Sequence, residues 1–423
     1  MLGYVIDAAS RATGRRPLVV ISPATRQVRD VFAERADFAI QEEPLGTADA
    51  VRAALVGLPD HADEVVVLSG DVPLLAADLV TALLEVRREL DAAMALVSVD
   101  SIDPTGLGRV VRDDEGFVQA IVEERDATED QLELTEINAG VYAFDARWLR
   151  RHLPLVGPSA ATGELYLTAL VDLAVADELP VAALLLPDDG SLMGINDRAQ
   201  LAQAESIMRG AINEAFMRGG VTMTDPARVI IDTTVTIAED VVIEPDVVIQ
   251  GATTIGRDTR IGAGSTIIDS TIGERCTVRA SVIESSTVGD EVRIGPFAHL
   301  RPGARVGDAA EVGNYAEIKA ATLGARSKQH HFSYLGDAEI GEGVNIGAGT
   351  ITANYDGRRK HRTIIGDGAF IGSDTIIRAP VTIGEGSVTG AGSVVTHDVP
   401  AGTTVVGVPA RPHGRRTDPT PGS

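Results

Sequence analysis

Residues 237–267 read IAEDVVIEPDVVIQGATTIGRDTRIGAGSTI, with an isoleucine at every sixth position: Ile237, Ile243, Ile249, Ile255, Ile261 and Ile267. Neither the 3.6-residue period of a helix nor the two-residue alternation of a strand gives that spacing. A six-residue beat is the mark of a parallel β-helix, where each hexapeptide forms one flat side and three make a coil. The aliphatic of each hexapeptide points inward, and stacked coils bury a continuous column. The beat returns at Val282, Val288, Ile294, Leu300, Val306, Val312 and Ile318, and again at Ile365, Ile371, Ile377 and Ile383. Gly often follows the aliphatic, as in Ile255-Gly256, Ile346-Gly347 and Ile371-Gly372. The repeat is expected over residues 221–407, broken by an insert at 353–362. Residues 408–423, rich in Pro, Gly, Arg and Thr, are expected to be a disordered tail. A β-helix also serves as a passive scaffold, so the beat alone names no function.

Residues 1–195 follow another pattern, with strands and helices in turn. Leu18–Ile21, Val65–Leu68 and Met94–Val99 read as buried strands; Thr47–Val56 and Asp78–Leu90 read as helices. Alternation of this kind implies a parallel α/β sheet. Residues 4–12 read as a helix ahead of the first strand, whereas sheets of this class open with a strand and a Gly-rich loop. Residues 196–220 form the expected linker helix: Leu201, Ala204, Met208, Ala211, Ala215 and Phe216 keep helical spacing, and Gly219-Gly220 ends it.

With 423 residues, two domains are expected. The net charge of -24 argues against nucleic acid or an anionic membrane surface as partner. It leaves room for phosphorylated small molecules held by a few local cations. Cys276 is the only cysteine, which excludes an internal disulfide and fits a reducing cytoplasm; its place in the repeat suggests a packing role. No signal peptide or apolar run of membrane-spanning length is visible.

Several stretches carry chemistry-bearing residues. Ser69-Gly70-Asp71-Val72-Pro73-Leu74 puts a carboxylate at the carboxyl end of a strand, where open α/β sheets bind ligands and Mg²⁺ can bridge nucleotide phosphates. The alternative is an aspartate in a surface turn. Gln41 precedes Leu45-Gly46-Thr47-Ala48, which opens a helix and suits a phosphate or a base edge; the plainer reading is an N-cap by Thr47. Further on stand DPTGLGR (103–109), IVE (121–123), EINAG (136–140) and GIN (194–196). In the repeat, KQHHFSYLGD (328–337) interrupts the beat and can leave the wall.

In this order the motifs resemble the bifunctional bacterial UDP-N-acetylglucosamine pyrophosphorylase/glucosamine-1-phosphate N-acetyltransferase family, over nearly all of residues 1–400. The resemblance implies a Rossmann-like α/β nucleotidyltransferase domain followed by a left-handed parallel β-helix, although the usual crossover rule favours the right hand. It assigns Gln41, Gly46, Thr47, Ser69 and Gly70 to the UTP site, and Asp71 with Asn196 to Mg²⁺. Gly108, Glu123 and Asn138 would bind N-acetylglucosamine-1-phosphate. In the repeat, His331 of the H-x-x-Y-L-G-D pattern would be the general base, a role that the ordinary pKa of histidine suits. His330 has the wrong spacing to Tyr334, and without the flanking match a solvated turn would be the better reading of either. Arg301, Lys319, Tyr334 and Asn345 would hold glucosamine-1-phosphate; Ala348, Asn354, Tyr355, Ser373 and Ala391 would line the acetyl-CoA site. A homotrimer with its acetyl-transfer sites between neighbouring prisms is implied.

This sequence departs from the family pattern in two places. The family's first strand and its loop of the form LAAGxGTRM, with a Lys a few residues on, have no counterpart. Roughly three dozen residues would precede Met1 by motif order. The expectation is therefore an N-terminally incomplete domain with an unpaired sheet edge and impaired uridylyl transfer in the chain as written. Near the last coil, where the family places an Arg toward coenzyme A, stands Val408, with Arg411 as a possible substitute. The cluster Arg358-Arg359-Lys360-His361-Arg362 reads either as a solvated loop or as a phosphate clamp at a subunit interface. The alternative to the whole reading is a sugar-phosphate nucleotidyltransferase whose β-helix only oligomerises. A pure scaffold leaves the motif order unexplained, and the histidines do not fit a β-helix carbonic anhydrase, which needs three metal-binding His across an interface.

Overall fold

The computed structural model describes residues 1–159 and 162–413, in two compact units, Met1–Met208 and Arg209–Ser423. The first begins with α1 (Leu2–Thr13), β1 (Leu18–Ile21), α2 (Gln27–Phe32), β2 (Asp37–Ile40), α3 (Thr47–Leu55), β3 (Glu64–Leu68) and α4 (Ala77–Glu89). There follow β4 (Met94–Asp100), β5 (Arg109–Arg112), β6 (Val118–Val122), α5 (Glu129–Leu132) and β7 (Glu136–Asp145). The unit closes with α6 (Ala146–His152), α7 (Ala169–Ala176), β8 (Val181–Pro187) and the first part of α8 (Arg198–Arg218).

The sheet is mixed, not parallel as the alternation implied. Its order is β6-β5-β7-β4-β8, with β3 also on β7; only β4 and β8 run parallel. The cause is local. β5 and β6 are joined by a tight turn, in which Asp113 accepts from the amides of Glu115 and Phe117, so the chain reverses without a crossover helix. β1 and β2 pair only with each other, in parallel, so the sheet strands fall into two groups. Buried Met94, Leu96, Phe144, Leu149 and Leu170 fill one core of this unit; Val80, Leu83, Val97 and Val141 fill another.

The second unit is a triangular prism. Hexapeptide strands fall in turn on three sheets of twelve, ten and nine strands. The first face starts at Thr222–Met223, the second at Val229–Ile231 and the third at Thr236–Ile237. A step of six residues moves to the next face, and three steps return to the first: Ile243 pairs with Ile261 and Val229 with Val247. The inward aliphatics form one column, with Ile243, Ile249, Ile261, Ile267, Ile318 and Ile377 fully buried. Corner hydroxyls satisfy the backbone where the chain turns, as Ser265 does with Gly262 O at 2.7 Å and Thr350 with Gly347 O at 2.8 Å. The end of α8 closes one end of the prism. Ile212, Phe216 and Met217 pack on the core, and Asn213 donates to Pro226 O and Val229 O at 2.7 and 3.0 Å.

The second register of the beat needs one correction. Val282 is 37% exposed, and Ile283, paired with Ile267, is the buried residue. The coil from Ile267 to Ile283 is two residues short of three hexapeptides, so the inward position slips by one. At the far end, Arg411–Pro412 pairs antiparallel with Val405–Val406, so the start of the expected tail is a strand; residues 414–423 lie outside the described residues. Among the described residues no helix is long and apolar enough to cross a membrane.

Ile318 lies in the middle of the column, paired with Leu300 and Leu335 on the same face. Ile318→Ala leaves a cavity that neighbouring coils cannot close, and should cost about 2–5 kcal/mol, measured as a lowered denaturation midpoint.

Candidate functional site

Stacking puts His331 at the corner between the first and second faces. Strand register aligns Val312, Gln329, Ile346, Ile371 and Thr389 up the first face. Two residues beyond each lie Asn314, His331, Ala348, Ser373 and Ala391, so the last four form one vertical row on that corner. With coils roughly 4.8 Å apart, Ala348, Ser373 and Ala391 stand about 5, 10 and 14 Å above His331. The row runs from half-buried Ala348 to exposed Ser373 and Ala391, and its small side chains leave room for an extended chain. The imidazole nitrogens of His331 have no hydrogen-bond partner among the described residues. His330 differs: its Nε2 lies 2.8 Å from Glu311 Oε2 on the first face.

A second cluster lies toward the opposite corner of the second face, where it meets the third. Lys360 and, after it, Arg301 push the Lys319 ammonium below the ordinary lysine range; Asp337 opposes them. Arg301 Nη1 is held at 2.8 Å by Glu317 Oε1, which raises its already high pKa. A side chain on Gly336 would run into the Tyr334 hydroxyl and come within 2.7 Å of Asn354 Nδ2, so both groups meet over that glycine. Asn354 is buried and donates to Asp337, while Tyr355 is exposed. Asn345 stands apart: it is on the first face, between Lys328 and Phe370. One prism therefore gathers Arg301, Lys319, Tyr334 and Asn354, but not Asn345 or His331 with them.

In the sequence Lys360 is one cation among four, beside His361. The break in the beat was the available signal. The insert is ordered: Tyr355 bridges to Lys360, and His361 N donates to Asn354 O at 2.7 Å. Asp356 accepts from Arg358 N at 2.8 Å and Arg359 N at 2.7 Å, with His361 Nε2 at 2.7 Å. These bonds, that from Arg359 first, bring the Asp356 carboxyl down to about 2. The insert is thus a solvent-exposed hairpin, and it carries Lys360 to Lys319.

Of the expected nucleotide and sugar residues in the first unit, Ser69, Gly70 and Asp71 stand at the carboxyl end of β3, whereas Gly46 and Thr47 close against Leu165 and Leu167. Ser69 Oγ donates to Gly140 O at 3.2 Å. Ile195 N donates to Asp71 O at 3.0 Å, which brings Asn196 beside Asp71. Gly108 O accepts from Asn138 N at 2.9 Å, and a side chain on Gly108 would lie 3.6 Å from the Glu123 carboxylate. Asn138 Nδ2 is 2.6 Å from the Tyr142 hydroxyl, whose pKa burial pushes up to about 12. Burial also raises Glu123, against a hydrogen bond from Thr168, a neighbour that the sequence did not reveal. Gln41 Nε2 donates to Gly46 O at 3.1 Å and Asp49 Oδ2 at 2.9 Å.

Thr47 is not the N-cap. Gly46 takes that place at φ 124, and the Thr47 hydroxyl accepts from Leu167 N at 2.9 Å. Any side chain at Gly46 would sit 2.5 Å from Leu165 O, so only glycine allows the two segments to close.

Comparison with known proteins covers both units. Residues 1–189 match the nucleotidyl transferase family, and 234–269, 285–320 and 362–397 match the bacterial transferase hexapeptide family. The prism is a left-handed parallel β-helix. The bifunctional protein GlmU of Heliobacterium modesticaldum is 44% identical over 96% of this chain and 89% of its own length. That of Geobacillus thermodenitrificans is 44% identical over the same shares, and that of Bacillus subtilis 42% over 95% and 88%.

The Asp356 bonds predict how the insert responds to acid. A carboxyl lowered to about 2 in the folded chain stabilises the hairpin fully above its ordinary value of 3.8 and loses that effect as pH falls toward 2. Amide-exchange protection at Arg358 and Arg359 should decline over that interval, and Asp356→Ala, which lacks the accepting oxygen, should remove it at neutral pH.

Proposed function

The chain belongs to the bifunctional GlmU family, and on that premise we propose which residues run its two reactions. It transfers acetyl from acetyl-CoA to glucosamine-1-phosphate, and uridylyl from UTP to N-acetylglucosamine-1-phosphate, giving UDP-N-acetylglucosamine.

In the acetyl-transfer site the observation that carries the reading is the corner row. Acetyl-CoA lies along Ala391, Ser373 and Ala348 with its thioester at the level of His331. The free imidazole takes the proton as the sugar amine attacks the thioester carbonyl, and the coenzyme A thiolate leaves. Arg301, Lys319 and Lys360 hold the sugar phosphate. Lys319 and Lys360 repel one another until an anion comes between them, which favours phosphate at that point. Tyr334 and Asn354 border the sugar, and Tyr355 and Asn345 complete the pocket. A β-helix that served only to assemble the chain would leave this convergence of cations without a purpose.

Within one prism, the cations and His331 flank opposite ends of the second face, and Asn345 is on another face. The strand from Ser333 to Gly336 alone spans about 10 Å. The amine and phosphate of glucosamine-1-phosphate are on adjacent carbons, too close together to bridge that span. The site is therefore shared: the His331 corner and first face of one prism meet the second face of its neighbour, in a closed homotrimer. The protein works in the cytoplasm, where Cys276 remains a buried thiol.

In the first unit, the Asp71 carboxylate and Asn196 amide offer oxygen atoms without a hydrogen-bond partner among the described residues, a donor set that suits Mg²⁺. When bound, the ion offsets charge on the phosphates of UTP. Gln41, Gly46 and Thr47 border the nucleotide; Gly108, Glu123 and Asn138 orient the sugar phosphate for in-line attack on the α-phosphate.

His331→Ala should reduce acetyl-CoA-dependent release of free coenzyme A with glucosamine-1-phosphate by about 10²–10⁴-fold, with assembly intact. Full activity in that variant would show that His331 is not the base.

A further inference from the structure

Gln329 occupies an inward position of the prism, paired with Val312 below and Ile346 above. It is 0% exposed. An apolar side chain would suit this column better, because a buried amide must find partners to offset its lost hydration. Gln329 finds one close partner: Nε2 donates to Ser333 Oγ at 2.9 Å. Its Oε1 has no partner among the described residues. The Ser333 hydroxyl, with its lone pair thus engaged, donates its own hydrogen to His331 O at 2.9 Å. A chain of two hydrogen bonds therefore runs from inside the prism to the backbone of His331.

The corner needs such a tether. Its three residues, His330, His331 and Phe332, are all exposed, with Phe332 at 58%. The next coils carry Gly347-Ala348-Gly349 and Gly372-Ser373-Asp374 at the same corner. There the hydroxyl ties back to the first corner residue, as Thr350 does to Gly347 O at 2.8 Å and as Thr375, whose hydroxyl also meets that of inward Thr389 at 3.0 Å, does to Gly372 O at 2.6 Å. At the His331 corner the hydroxyl reaches the second corner residue instead, the one that bears the imidazole.

We propose that Gln329 and Ser333 are positioning residues for acetyl transfer: they fix the His331 backbone, so the imidazole stands ready at the thioester. The proposal rests on His331 as the base. A fixed base gains rate through geometry, and a displacement of about 1 Å can cost about 100-fold.

The test is Gln329→Leu, which fits an apolar column, with Ser333→Ala, Ser333→Thr and His331→Ala beside it. Coenzyme A release is measured at saturating and limiting glucosamine-1-phosphate, together with thermal unfolding and oligomeric state. The expected result for Gln329→Leu and Ser333→Ala is a kcat lowered about 10- to 100-fold with KM for glucosamine-1-phosphate unchanged, and in Gln329→Leu a thermal midpoint that is not lowered. Ser333→Thr, which keeps the hydroxyl, should restore kcat. If His331→Ala is inactive while Gln329→Leu and Ser333→Ala keep full kcat, this inference fails and the base assignment stands. Loss of kcat only in step with lost folded protein would also overturn it, as a packing effect. His331→Ala at full rate would sink the base assignment and the inference together.

Discussion

Coil-on-coil stacking at the strand spacing, driven by the buried aliphatic column, is the constraint on which the second unit depends. Each inward Ile or Val removes apolar surface from water, worth about 1.5–3 kcal/mol when fully buried. The same stacking repeats every outward and corner position at a fixed rise. Where coils approach most closely, a side chain has no space: one on Gly256 would come within 2.6 Å of the Gly273 backbone. Function enters through positions that this regularity lines up and through the few places that depart from it. His331, Ala348, Ser373 and Ala391 share a row only because Val312, Gln329, Ile346, Ile371 and Thr389 stay in register.

The departures gather charge. The chain carries a net -24, yet Arg301, Lys319 and Lys360 converge at one corner. Repulsion between Lys319 and Lys360 persists because the insert is held from elsewhere, by Asp356 and by the bond from His361 N to Asn354 O. An acidic protein can thus keep a local cluster of cations without a basic surface. In the first unit burial plays the corresponding part: it raises Glu123 and Tyr142 around Asn138.

Much of this was legible in the residues, because hydrophobic period is a local property. The six-residue beat foretold the prism, and the strand at Leu18–Ile21 has the bounds expected for it. The beat failed at Val282, where a shortened coil moved the inward position to Ile283, a shift that only strand pairing reveals. The parallel sheet failed because a tight turn after β5 reverses the chain, and β7 runs antiparallel to β3, β4 and β5. Thr47 as an N-cap was a sound local reading overridden by a distant partner, Leu167. Thr168 and Gln329 were not legible because their contacts run across strands or coils, and Lys360 stood in a cluster that local sequence left open between a solvated loop and a phosphate clamp. Family motifs led to His331; register and hydrogen bonds show why it stands free while His330 is held by Glu311.

The central claim is that the acetyl-transfer site is completed by two prisms, with His331 from one and the cation cluster from its neighbour. Mixing two inactive variants, His331→Ala and Lys319→Ala, after joint unfolding and refolding, tests it directly through acetyl-CoA turnover. Shared sites predict that the mixture regains a substantial fraction of wild-type activity, because some interfaces then pair an intact His331 with an intact Lys319. A mixture no more active than the two variants measured separately would place both residues of each site on one chain and contradict the account.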